Sequence, residues 1–180
     1  MTKLGVISDT HNYVDPLLFE IFKGVNAVLH AGDIESQEVL DRLAEIAPVY
    51  AVAGNRDNAQ IKNTLPWIRA VEFDGVKIAL THQVLPVNFP SILPTKRNWT
   101  EELGVNGAQV LVFGHTHEPS NRRLGDLLYF NPGFAGPVGE EPLRTVGMLF
   151  IESGEIFGEV YHLSEPPSEL LLEKAKRWGK

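Results

Sequence analysis

Two histidines separated by one residue follow an apolar run in the sequence Gly114-His115-Thr116-His117. The run, residues 108–113, has the length and β-branched content of a buried strand. Residues two apart in an extended chain point to the same side, so both imidazoles are expected to face one site beyond the strand. Two neutral imidazoles suit borderline divalent metals, although the motif by itself also fits a pair of polar loop histidines.

Side chains able to bind metal recur where other predicted strands end. In open α/β sheets, ligands bind beyond the carboxyl ends of the strands, so these turns are expected to converge. Together with the histidine pair they supply two carboxylates, one amide oxygen and four imidazoles. The candidate ligands are Asp9, His11, Asp33, Asn55, His82, His115 and His117.

One metal ion takes four to six ligands in most protein sites, so a larger set predicts a pair of divalent ions that share a bridge. We assign the bridge to Asp33, because a carboxylate has two oxygens and a charge to divide between two cations. Two metals about 3.5–4 Å apart clamp a phosphate for in-line displacement and convert a bridging water into a hydroxide nucleophile. His30, inside a predicted strand, and His162 are interpreted as structural.

The elements that must position these residues alternate in the first third of the chain. Strands are predicted over residues 3–8, 25–30 and 48–53. A helix that begins at Asp15-Pro16 and ends at Gly24, and a second helix capped by Ser36, separate them. Successive strand–helix units predict a largely parallel sheet.

Turn signals dominate the second half of the chain. Asp74-Gly75, Gly125-Asp126 and Ser153-Gly154 each lie between two apolar runs and predict hairpins, so this half is expected to be mostly antiparallel. Residues 83–98 hold three prolines and predict a long loop, with Lys96 and Arg97 as candidate phosphate contacts. A short helix is predicted over residues 100–103. The predicted fold class is α/β, a two-sheet β-sandwich flanked by helices.

Composition limits the classes of function. The 180 residues predict one domain, with no apolar run long enough to span a membrane. A net charge of −7 argues against general nucleic-acid binding. The chain has no cysteine, and its first residues read as a strand and not as a signal peptide, which favours a cytoplasmic protein. The sequence leaves open whether the protein forms a homo-oligomer.

The ordered motifs D-x-H, G-D, G-N-x-D, H and G-H-x-H resemble the calcineurin-like metallophosphoesterase family, and within it the small YfcE-like phosphodiesterase branch. The resemblance covers about residues 3–163 and implies a four-layer α/β/β/α sandwich. It implies a hydrolase that acts on phosphodiesters or activated phosphate esters. Manganese is the activator that it implies, with nickel, iron or zinc as alternatives.

The resemblance also implies a division of the ligands between two ions. The first ion would be held by Asp9, His11, Asp33 and His117. The second would be held by Asp33, Asn55, His82 and His115. Asn55 would in addition touch the substrate phosphate.

The chain departs from the family pattern at two places. Arg56 stands where many members have a histidine that is a candidate acid for the leaving group, and a guanidinium does not give up its proton. Arg56 is interpreted either as a phosphate contact and catalytic residue or as the partner of a salt bridge to Asp57. Gln83-Val84 follows His82 where many members carry glycine and a further histidine. Both departures favour diesters over monoesters with poor leaving groups.

Two other functions are compatible with this fold. A eukaryotic retromer scaffold subunit resembles the same fold converted to a protein-binding module with a degraded metal site, but all seven ligand residues are present here. A protein phosphatase is the second alternative, and the chain is short for that role. The domain is expected to span residues 1–164, followed by a tail at 165–180 in which Ser168–Trp178 is predicted to form a helix.

Overall fold

The computed structural model describes residues 1–84, 99–102 and 104–163. Most of the predicted loop at 83–98, with Lys96 and Arg97, and the predicted tail at 165–180 lie outside the described residues. The strands are β1 (Thr2–Ile7), β2 (Ala27–His30), β3 (Val49–Ala51), β4 (Ile68–Phe73), β5 (Val76–Thr81), β6 (Val110–Val112), β7 (Ser120–Leu124), β8 (Leu127–Asn131), β9 (Thr145–Glu152) and β10 (Glu155–His162). The helices are α1 (Leu18–Ile21), α2 (Gln37–Ala44), α3 (Ala59–Thr64) and α4 (Trp99–Glu102).

The strands form two five-stranded sheets, which confirms the predicted two-sheet α/β architecture. The first sheet has the order β10-β9-β1-β2-β3 and the second has the order β4-β5-β6-β8-β7. In the first sheet β1, β2 and β3 run parallel, as predicted. The three hairpin signals are also confirmed, since β4 pairs with β5, β7 with β8 and β9 with β10 in antiparallel fashion.

The prediction of a mostly antiparallel second half is wrong for the centre of the second sheet. There β5, β6 and β8 run parallel. A turn dipeptide determines only the pairing of the two strands it joins, whereas the parallel pairs are made by longer connections that carry no such local signal. The consequence is that the carboxyl ends of β5, β6 and β8 point to one edge of the sheet, as those of β1, β2 and β3 do.

The core lies between the two sheets and continues beneath the helices. Leu4 and Val6 of β1 face the second sheet, whereas Ile7 faces the layer that contains α1, α2 and α3. This alternation is the period-two pattern of a strand buried on both faces. Gly5 lies under the Phe22 ring, and a Cβ atom there would come within 2.9 Å of the ring carbons.

Two helices differ from the sequence prediction. The helix expected from Asp15-Pro16 to Gly24 is shortened to α1, because Asp15 accepts the Leu17 N–H at 2.9 Å and the next bonds, including Phe19 N–H to Pro16 O, span only three residues. The helix α3 was not predicted. Asn58 caps it by accepting the Ile61 N–H at 3.0 Å. In the described part of the chain, no helix has both the length and the apolar character needed to cross a lipid bilayer.

Candidate metal centre

The seven predicted ligands meet at the edge formed by the carboxyl ends of the two parallel triplets. Asp9 and His11 follow β1, Asp33 follows β2 and Asn55 follows β3. From the second sheet, His82 follows β5, and the histidine pair follows β6. The sandwich therefore brings together side chains that are as far as 108 positions apart in the sequence.

One group of donor atoms is formed by Asp9, His11 and His117, whose donor atoms lie within 4.8 Å of one another. Nε2 of His117 is 3.4 Å from Oδ1 of Asp9. Asp9 is fully buried and His11 nearly so. Among the described residues, Oδ1 of Asp9 and Nε2 of His11 have no hydrogen-bond partner. Buried polar atoms are almost always paired, so two unpaired donor atoms at one point are suited to bind a cation.

A second group is built around Asn55. Its Oδ1 lies 2.9 Å from Nε2 of His82 and 2.9 Å from Nδ1 of His115. Oδ2 of Asp33 is 3.3 Å from the same His82 nitrogen. His82 Nδ1–H donates to Ala31 O at 2.7 Å, which leaves Nε2 as the free donor atom of the neutral ring. Neighbouring ligands of a cation with bonds of about 2.1 Å at right angles are themselves about 3 Å apart.

The backbone at these positions is held in an unfavourable conformation. Five of the seven candidate ligands have positive φ although they carry a Cβ: Asp9 (54°), His11 (44°), Asp33 (55°), His115 (70°) and His117 (60°). Such conformations cluster at active sites and ligand clamps, where the surrounding structure over-determines them. The histidine pair is therefore not extended as predicted: His115 contacts Asn55, while His117 contacts Asp9 in the other group.

Two glycines allow the turns to approach one another. A Cβ at Gly54 would clash with the carboxylate and the backbone nitrogen of Asp33. A Cβ at Gly114 would clash with Ser8 Oγ and lie 2.7 Å from Oδ2 of Asp9. Gly114 is thus required for the close packing of these turns.

The charges of the site favour a cation. The close contact with the Asp9 carboxylate, together with the hydrogen bond to Glu141, outweighs burial and raises the pKa of His117 to about 9. Burial lowers the pKa of His82, but the hydrogen bond to Asp33 and the charge of Asp9 leave it above its ordinary value. In the metal-free protein the charge of the His117 imidazolium offsets part of the negative charge of the buried acids. Burial and the nearby His82 lower the pKa of His115.

Two carboxylates that the sequence analysis missed orient the histidines of the first group. Oε1 of Glu35 lies 2.8 Å from Nδ1 of His11, and Oε1 of Glu141 lies 2.8 Å from Nδ1 of His117. A carboxylate that accepts the Nδ1–H of a histidine fixes the tautomer whose Nε2 binds metal. Glu35 had a detectable signal, since it follows the G-D motif by two residues. Glu141 lies in a turn-rich segment with no pattern to mark it.

Asp57 links the turns that carry Asp33 and Asn55. Its Oδ1 accepts the N–H groups of Ile34 and Glu35 at 2.6 Å each, and its Oδ2 accepts the N–H of Gly54 at 2.7 Å. The predicted salt bridge between Arg56 and Asp57 is therefore wrong, because both Asp57 oxygens face backbone amides. Nε of Arg56 instead lies 3.2 Å from Oε1 of Glu35.

The two buried acids differ in how many hydrogen bonds their carboxylates accept. Donor atoms of Asp9 also lie within 4.8 Å of those of Asp33 and His82, so Asp9 is close to both groups, whereas the sequence predicts the bridge at Asp33. Oδ2 of Asp9 already accepts from Ser8 Oγ at 2.6 Å and from the His115 N–H at 3.1 Å, so one oxygen remains. Asp33 accepts only the Arg56 N–H, at 2.8 Å on Oδ1, besides its contact with His82. Asp33 therefore accepts fewer hydrogen bonds than Asp9.

Comparison with known proteins places these residues in a family. A family model for the calcineurin-like phosphoesterase superfamily domain matches residues 2–154. A probable metallophosphoesterase from Methanothermobacter thermautotrophicus is 37% identical over 173 residues, which cover 91% of this chain and 94% of that protein. The phosphodiesterase MJ0936 from Methanocaldococcus jannaschii is 29% identical over 172 residues, covering 85% of this chain and 95% of that protein. Wild-type Vps29 complexed with Zn²⁺ from Entamoeba histolytica has a similar fold, with a TM-score of 0.67 and 24% identity over 90% of this chain and 99% of that chain.

Proposed function

The chain belongs to the calcineurin-like phosphoesterase superfamily, and on that premise we propose that it is a phosphodiesterase that uses two divalent cations. The observation that carries the proposal is the pair of orphaned buried atoms, Asp9 Oδ1 and His11 Nε2, among seven converging donor residues. The donor set fits divalent cations, because it combines neutral imidazoles with carboxylate and amide oxygens. Manganese is the proposed ion, with nickel, iron or zinc as alternatives.

We assign the ligands as two overlapping sets. Asp9, His11, Asp33 and His117 would hold the first cation, and Asp33, Asn55, His82 and His115 would hold the second. When bound, the cations supply an activated water as nucleophile and neutralise charge on the phosphate oxygens. The chain itself holds the donor atoms in place before any ion arrives, through the amides on Asp57 and the carboxylates behind His11 and His117.

Asn55 and Arg56 are the residues proposed to contact the substrate. With Oδ1 of Asn55 directed at two imidazoles, its Nδ2 is left to donate to a phosphate oxygen. The Arg56 backbone N–H is bonded to Asp33, which fixes the start of its side chain beside the site. A guanidinium can donate two parallel hydrogen bonds to a phosphate but cannot protonate a leaving group. The proposed substrates are therefore phosphodiesters and esters with good leaving groups.

The test uses protein that is purified without a chelator. Elemental analysis and titration are expected to give two divalent ions per chain. After chelation, adding manganese is expected to restore hydrolysis of bis(4-nitrophenyl) phosphate to a greater extent than that of an alkyl monoester. A stoichiometry that never exceeds one would refute the two-cation site. The absence of metal-dependent turnover with every ester and metal tested would refute the enzyme and favour the protein-binding alternative.

A further inference from the structure

Glu35 contacts both a proposed metal ligand and a proposed substrate contact. Its Oε1 lies 2.8 Å from Nδ1 of His11 and 3.2 Å from Nε of Arg56. We propose that Glu35 is a positioning residue that orients Arg56 for the phosphate and His11 for the first cation. One carboxylate thereby links phosphate recognition to cation binding. This inference rests on the proposed function and adds a residue that the family motifs do not contain.

The backbone of Glu35 is fixed from two sides. Its N–H donates to Asp57 Oδ1 at 2.6 Å, and its carbonyl accepts from Asn58 Nδ2 at 2.7 Å. These bonds hold a φ of 71°, which is unfavourable for a residue with a Cβ. A strained conformation kept in place by its neighbours indicates that the direction of the side chain matters.

Stability does not explain the pair between Glu35 and Arg56. The Glu35 side chain is 27% exposed and that of Arg56 is 54% exposed, and ion pairs this accessible contribute little to folding. The geometry has a consequence for binding instead. Glu35 engages Nε and leaves both terminal nitrogens of the guanidinium without a partner among the described residues. An arginine already held at Nε loses less conformational freedom when it contacts a phosphate.

Glu141 provides a matched control. Its Oε1 lies at the same distance, 2.8 Å, from the same atom of the other histidine in the group, His117. No arginine among the described residues forms an ion pair with Glu141. Glu141→Gln therefore removes the same charge from behind a ligand without touching the proposed phosphate contact. In both variants the amide oxygen of glutamine can still accept the Nδ1–H, so the loss reports mainly the charge.

The experiment measures binding of Mn²⁺ and then of inorganic phosphate to the full chain by calorimetry. Both Glu35→Gln and Glu141→Gln are expected to weaken binding of one Mn²⁺ by about 10–100-fold. At saturating Mn²⁺, Glu35→Gln is expected to raise the phosphate dissociation constant about tenfold, because glutamine orients the Arg56 guanidinium less firmly than the carboxylate does. Glu141→Gln is expected to raise it less than about twofold. Arg56→Ala is expected to weaken phosphate binding about tenfold in the wild type and less than about threefold in Glu35→Gln.

A second readout uses the metal-free protein. The Nε–H signal of Arg56 in nitrogen–proton spectra is expected to shift, and its exchange with water to accelerate, in Glu35→Gln but not in Glu141→Gln. An unchanged signal would overturn the inference. Equal phosphate weakening in the two glutamine variants, or an Arg56→Ala effect that is the same in both backgrounds, would also overturn it. A wild type that binds Mn²⁺ and phosphate but hydrolyses no ester would refute the proposed enzyme and leave the binding test of Glu35 intact. A wild type that binds neither would refute both.

Discussion

Replacing Asp57 with asparagine tests whether one carboxylate holds together the turns that carry the proposed ligands. Asp57 is buried, with 3% of its surface exposed, and accepts three backbone N–H groups from the turns after β2 and β3. Asparagine is nearly the same size as aspartate, but it has one acceptor oxygen and one NH₂ donor in place of two acceptor oxygens. Whichever way the amide is turned, at least one backbone N–H then faces another donor instead of an acceptor.

The size of the effect follows from these bonds. Loss of one hydrogen bond to a charged acceptor costs about 1.5–3 kcal/mol, and leaving a buried N–H unpaired adds to this. We expect Asp57→Asn to lower the free energy of unfolding by about 2–4 kcal/mol. For a chain of this length that corresponds to roughly 5–15 °C in Tm. Because the two turns carry Asp33 and Asn55, cation affinity is expected to fall as well.

The assay is urea unfolding of the metal-free protein, followed by circular dichroism, with chelator present. Asp41→Asn is the matched control, since Asp41 accepts only an exposed bond from Gln37 Nε2 at 3.0 Å. The control is expected to change stability by less than about 0.5 kcal/mol. If Asp57→Asn is no more destabilising than Asp41→Asn, the three short bonds do not hold the turns and the reasoning is refuted.

Three further predictions concern the site and the strand β2 that leads to it. Asp33→Asn is expected to abolish nearly all turnover while the circular dichroism spectrum is kept, because it removes charge shared by two cations; activity within about tenfold of wild type, about 1.4 kcal/mol of barrier, would show that Asp33 is not the bridge. Burial lowers the pKa of His30 to about 4, so the unfolded chain takes up this proton at a higher pH than the folded chain does. The contribution of His30 to the free energy of unfolding is therefore fully present above about pH 6.5 and is lost towards pH 4, by up to about 3 kcal/mol. Urea unfolding at several pH values should show a weaker pH dependence in His30→Gln than in the wild type. Arg56→His is expected to raise the rate for alkyl esters far more than for nitrophenyl esters, by up to about 10²-fold if the new imidazole acts as a general acid; an equal factor for both substrates, measured under steady-state conditions, would contradict this.

The order of the motifs was sufficient to predict which residues converge, because each motif follows a strand of strong apolar character. Asp9, Asp33 and Asn55 could be placed from the β-α-β pattern alone, since parallel strands end at the same edge. His82 and His115 converge with them only because β5 and β6 are also parallel. The sequence contained hairpin signals on either side but none for that crossover, so the convergence of these side chains was predicted better than the pairing of the strands that carry them.

The supporting residues were harder to predict for a physical reason. A metal ligand is limited to a few residue types at a strand end, whereas its partner can be any carboxylate that the fold brings within reach. Glu35 and Glu141 each lie 24 positions from the histidine they contact, on different connections. Asp57 belongs to the G-N-x-D motif, but its role is to accept three backbone N–H groups. The directions of backbone N–H groups cannot be predicted from a pattern of side chains.

The candidate site lowers the stability of the fold, which indicates that its residues serve binding and not folding. Five ligand residues adopt left-handed backbone conformations, each of which costs about 1 kcal/mol or more for a residue with a Cβ. The sum, roughly 5 kcal/mol, is comparable to the lower end of the whole net stability of a domain. Two buried acids and an unpaired imidazole nitrogen add to it. Bound cations would offset these costs in proportion to their affinity, so the folded state and the loaded site stabilise each other. A surface used only for protein contact would gain nothing from strain and orphaned donors at its centre, so the geometry favours a site that binds cations.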